Sequence, residues 1–117
     1  MARVVAYVPD LLFGSNVLGM LQAAGHEAKL ASQPGAMEGA LTGVDVLVVD
    51  LTADAAERIE HVRGLALDPE ATRVLAFYSH VEADVRAQAE QAGFDLVVPR
   101  SRMAREGAQL VQRLSER

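Results

Sequence analysis

A chain of 117 residues, half of them hydrophobic, suits a single domain that buries about two-thirds of its unfolded surface and folds without a covalent or metal staple. The absence of Cys excludes disulfides and thiolate metal sites and fits a reducing compartment. A net charge of -5 argues against non-specific binding to nucleic acid by neutralising phosphates, and 4% aromatic residues leave few rings for stacking on bases.

The first element is the apolar run "RVVAYV" (3–8), and Met1-Ala2 leads straight into it. No apolar run reaches the roughly 20 residues that cross a bilayer, so the reading is a cytoplasmic protein with no membrane segment. Phe13, Val17, Leu21 and Ala24 follow at helical spacing, and Gly25 offers a stop. Within that helix "LFGSN" (12–16) lacks the glycine spacing of a phosphate loop and reads as a small-residue face close to a sheet.

"EAKLAS" (27–32) is more polar than the other runs and reads as an edge strand. A short helix over Ala36, Met37, Ala40 and Leu41 closes at Gly43, and "VDVLVVD" (44–50) follows as a strand without polar alternation. Ala55, Ile59, Val62 and Ala66 stripe a third helix, ending ahead of Asp68-Pro69 because proline disfavours a helical residue before it. After "RVLAFY" (73–78) come a fourth helix over Val81, Val85, Ala89 and Ala92, stopped by Gly93, and the strand "DLVVP" (95–99). Met103, Gly107, Leu110 or Val111, and Leu114 stripe the last helix.

Continuous apolar strands are those buried on both faces, and strand–helix alternation implies right-handed crossovers. The expectation is one α/β domain over 1–117, a flavodoxin-like sandwich with a five-stranded parallel sheet of order 2-1-3-4-5. Ligands in this class bind outside the carboxyl ends of strands 1 and 3, where the acidic residues are Asp10 and Asp50.

The segments "DVLVVDLT" and "HVEADVRAQAEQAGFDLVVPRS", with this order of elements, resemble a bacterial two-component response-regulator receiver (CheY-like) domain over nearly the whole chain. The resemblance implies that Asp50 stands at the phosphoacceptor position, where an exposed carboxylate acts as nucleophile. It implies that Ser79 is the hydroxyl that contacts the phosphoryl group, and that Arg100 takes the place of a lysine that does the same. Asp10 and Asp50 would then hold Mg2+.

Three departures make this an atypical, pseudo-receiver pocket. Val8 and Pro9 precede a single Asp10 where receivers carry an acidic pair, so magnesium should bind more weakly than in a two-acid receiver. Asp10 also reads as the N-cap of the helix that starts at Leu11. Val97 falls where receivers carry a switch aromatic, and Arg100 offers a planar fork in place of an ammonium.

The functional expectation is a stand-alone signalling or protein-interaction module. Its partner face would be helix 4, strand 5 and helix 5, taking another protein or a second copy of the chain. A functional receiver phosphorylated at Asp50 by a histidine kinase is the first alternative. A small-anion binder using Ser79, His80, Arg100 and Ser101 is the second, because "RSRMAR" (100–105) gathers arginines where helix amides favour anions. No nucleophile–base pair marks an enzyme of another kind. With Asp50 ionised, Arg100 is expected to reach across and pair with it, directly or through water.

Overall fold

The computed structural model describes residues 1–79 and 83–116. Strands and helices alternate throughout: β1 (Arg3–Tyr7), α1 (Leu11–Ala23), β2 (Glu27–Ala31), α2 (Pro34–Gly39), β3 (Val46–Asp50), α3 (Ala55–Gly64), β4 (Arg73–Tyr78), α4 (Ala83–Gln91), β5 (Leu96–Pro99) and α5 (Arg100–Ser115). The strands form one five-stranded sheet in the order β2-β1-β3-β4-β5, and every neighbouring pair is parallel. The expected order is therefore found, with the polar β2 at an edge.

Side chains alternate across a strand, and here both faces are covered. Leu47 and Val49 of β3 join Met37, Ile59, Val62, Val85 and Ala89 in the core beneath α2, α3 and α4. Val46 and Val48 join Val17, Leu21, Met103, Leu110, Val111 and Leu114 beneath α1 and α5. This double burial is why the central strand shows no polar alternation.

Two elements begin later than their apolar runs. Asp45 precedes β3 and accepts the Arg3 amide on its side chain at 2.9 Å, while Asp95 precedes β5 and accepts the Val74 amide at 2.8 Å. Each carboxylate takes a ladder donor at the strand entrance and so caps the sheet edge. The second helix starts earlier than its apolar residues, at Pro34, because proline suits the first helical turn, where its missing N–H has no partner to lose.

The small-residue face of α1 has a steric cause. A Cβ at Gly14 would lie 2.8 Å from Leu30 Cδ1 and 3.3 Å from the Val8 carbonyl oxygen, so the missing side chain lets α1 settle against the β1–β2 edge without displacing Leu30 or the backbone. That approach brings the start of α1 over the carboxyl end of the sheet.

Candidate functional site

Asp50 ends the most deeply buried strand, and the residue is itself only 3% exposed. Burying a carboxylate demands hydrogen bonds and a countercharge. Oδ1 accepts two hydrogen bonds from Thr52, at 2.8 Å from the backbone N–H and 2.6 Å from the side-chain Oγ1. This local turn, in which an Asp side chain accepts from two residues on, folds the chain over the carboxylate.

The countercharge comes from Arg58 of α3. Its Nη1 donates to the Asp50 main-chain oxygen at 2.9 Å and lies 3.7 Å from Asp50 Oδ2, and its Nη2 lies 3.8 Å from Asp54 Oδ2. The guanidinium stands 6.0 Å from the Tyr7 ring centroid. Its side chain is 13% exposed, so most of it lies between α3 and the sheet. Neither Arg58 nor Thr52 belongs to the expected site. A signal for Arg58 was present: it falls three residues after Ala55 and four before Val62, on the core-facing stripe of α3.

Arg100 makes no direct pair with Asp50, contrary to the direct form of the expectation. Its guanidinium lies over the Phe13 ring at 4.2 Å from the centroid, and its Nη2 is 3.7 Å from Asp10 Oδ2. The aromatic face and a nearer carboxylate at the start of α1 take the fork before it can reach β3. Asp10 acts as the N-cap of α1, with Oδ1 accepting from the Leu12 and Phe13 amides at 3.1 Å each.

Asp10, Asp50, Ser79 and Arg100 all lie at the carboxyl end of the sheet, at two levels. Ser79 and Arg100 line one open cleft of about 590 Å³, with Phe13, Thr52, Pro99, Ser101 and Ala104. Asp10 meets Arg100 at its rim, and Asp50 lies beneath Thr52. His80, the remaining anion-binding candidate, lies outside the described residues. Pro99 at the N-cap of α5 supplies no side-chain acceptor for the helix amides beside this cleft. Val97, at the switch-aromatic position, is buried in the core.

The donor set does not assemble a divalent-cation site of the receiver kind. Such an ion takes carboxylate and carbonyl oxygens in near-octahedral array. Val8 and Pro9 bring no carboxylate; one Asp10 oxygen serves the helix cap, and the two Asp50 oxygens face Thr52 and Arg58. Among the described residues no group of three or more His, Cys, Asp or Glu side chains is placed to hold a metal.

A parallel sheet in this order with helices on both faces is the flavodoxin-like fold, here with an aspartate closing the central strand. Solved structures agree. A response regulator from Thermotoga maritima is similar at 15% identity over 100% of this chain and 99% of that one, with a TM-score of 0.84. The signal receiver domain of NarL from Mycobacterium tuberculosis is similar at 24% identity over 98% and 96%, with a TM-score of 0.76. A protein named for pilus assembly (cpaE) from Burkholderia thailandensis is similar at 15% identity over 100% of each chain, with a TM-score of 0.82. No protein-family model matches the sequence. No curated protein matches it either. The chain has the CheY-like receiver fold.

Proposed function

We infer that the protein is a receiver-fold signalling module that acts through protein contacts, with Asp50 serving as a structural carboxylate and not as a phosphoacceptor. The observation that carries this reading is the state of Asp50, 3% exposed with its oxygens turned to Thr52 and Arg58. A nucleophile needs an open face toward its donor, and this one is covered. Where receivers carry an acidic pair, this chain has Val8 and Pro9 ahead of a single Asp10, which weakens the usual help in neutralising an incoming phosphoryl group.

Recognition then falls to the surface of α4, β5 and α5, to which another protein or a second copy of the chain would bind. The solved structures that share this fold include proteins named as response regulators and others named for pilus assembly. Among the described residues no helix is long and apolar enough to cross a membrane.

Incubation with acetyl phosphate and magnesium, followed by intact mass and amide NMR spectra, tests the reading. The expected result is an unmodified mass and unchanged Asp50 and Thr52 resonances. Stoichiometric labelling at Asp50 would establish a working receiver instead.

A second reading is favoured by the open cleft, whose lining includes Ser79, Ser101 and Arg100. A small anion bound there would shift these amides on titration with phosphate or sulfate, and Arg100→Ala would abolish the shift.

A further inference from the structure

We propose that Arg58 is the resident cation of the Asp50 pocket, filling the electrostatic role that a divalent metal would otherwise have, and that it makes the pocket insensitive to magnesium. The inference rests on the reading of Asp50 as a structural carboxylate and deepens it, and its test is a separate one.

A buried carboxylate left without a countercharge is strongly destabilising. Among the described residues the cation within ion-pair reach of Asp50 is Arg58. Its planar fork bridges three oxygens: the Asp50 carbonyl at 2.9 Å, Asp50 Oδ2 at 3.7 Å and Asp54 Oδ2 at 3.8 Å. Bridging a main-chain carbonyl and carboxylates is also what a hard divalent cation does with its oxygen ligands. A guanidinium achieves it with a fixed charge that the surrounding ion concentration does not change.

The surrounding chain holds the fork in place. Ile59 and Val62, on the same side of α3, are buried in the core, which fixes the rotation of the helix. Tyr7 presents its ring to the guanidinium from β1. Asp54 adopts a left-handed backbone conformation (φ 51°, ψ 39°) immediately before α3, an arrangement aspartate tolerates better than most residues. Its carboxylate is exposed, so the weight of the argument falls on Asp50. Arg100 cannot substitute, because Phe13 and Asp10 hold it at the cleft rim.

Thermal melts of the wild type, Arg58→Ala and the double variant Asp50→Asn/Arg58→Ala test this, each with magnesium chloride and with sodium chloride at matched ionic strength. The wild type should melt at the same temperature in both salts. Arg58→Ala should lose roughly 10 °C and regain part of it, saturably, with magnesium alone. The double variant should recover most of the loss and show no magnesium response, since the carboxylate that needed a cation is gone. If Arg58→Ala is unfolded without metal, refolding on addition of magnesium supports the proposal. Failure of magnesium to act on Arg58→Ala while the double variant folds overturns it. A saturable magnesium response in the wild type, or a double variant no more stable than Arg58→Ala, also overturns it. Phosphoryl labelling of the wild type would sink the functional reading and leave these melts to be judged by themselves.

Discussion

Arg100 and Asp10 meet at the rim of the cleft, Nη2 to Oδ2 at 3.7 Å, with both side chains about half exposed (48% and 50%). Exposed pairs of this kind are worth little, and the contact of the guanidinium with Phe13 adds a comparable amount. Arg100→Ala should therefore cost about 0.5–1.5 kcal/mol in urea unfolding. A double-mutant cycle with Asp50→Asn should give a coupling near zero, whereas the same cycle between Arg58 and Asp50 should give a clear one. Strong Arg100–Asp50 coupling would contradict the geometry.

Asp10 serves α1 through its side-chain oxygen, which accepts from the Leu12 and Phe13 amides. Asp10→Ala should destabilise by about 1 kcal/mol and Asp10→Asn by much less, because the amide oxygen can still cap. Circular-dichroism melts distinguish the two. Equal losses for both would mean that charge, through Arg100 or a bound cation, matters more than the cap.

Thr52 gives Asp50 two donors, and only the hydroxyl is removable by substitution. Thr52→Val should cost roughly 1.5–3 kcal/mol, the range for a hydrogen bond to a charged group. Thr52→Ser, which keeps the donor, should stay well below that in the same denaturation assay.

Gly14 and Gly19 lie on the same helix in opposite surroundings. An added methyl at Gly14 meets Leu30 and the Val8 carbonyl, while at Gly19 it meets nothing within 4 Å. Gly14→Ala should destabilise by about 1–3 kcal/mol through overpacking. Gly19→Ala should stabilise by roughly 0.5–1 kcal/mol through helix propensity. Stabilisation by both would show that α1 can move off the sheet at little cost.

The strand order, the edge position of β2 and the place of Asp50 at the end of β3 were all legible in the sequence. Their causes are local: unbroken apolar runs in the middle strands, a polar edge, and glycines at helix ends. The cap at Asp10 was legible too, because an N-cap is made by residues two and three positions away. The small face of α1 was visible in the sequence, and the structure puts Gly14 of it against Leu30, a target that the sequence did not show.

Which cation meets which carboxylate was decided only by tertiary packing. By residue count Arg100 stood in line with Asp50, and nothing in the sequence says that Phe13 and Asp10 lie closer to its fork. Spacing puts Arg58 on the core-facing stripe of α3, but only the packing of Ile59 and Val62 against the sheet sets the rotation that brings it to Asp50. Periodicity determines which face of an element is apolar, because it is a property of one element's geometry. A long charged side chain has several acceptors within reach, and its choice among them depends on how neighbouring elements are set against one another.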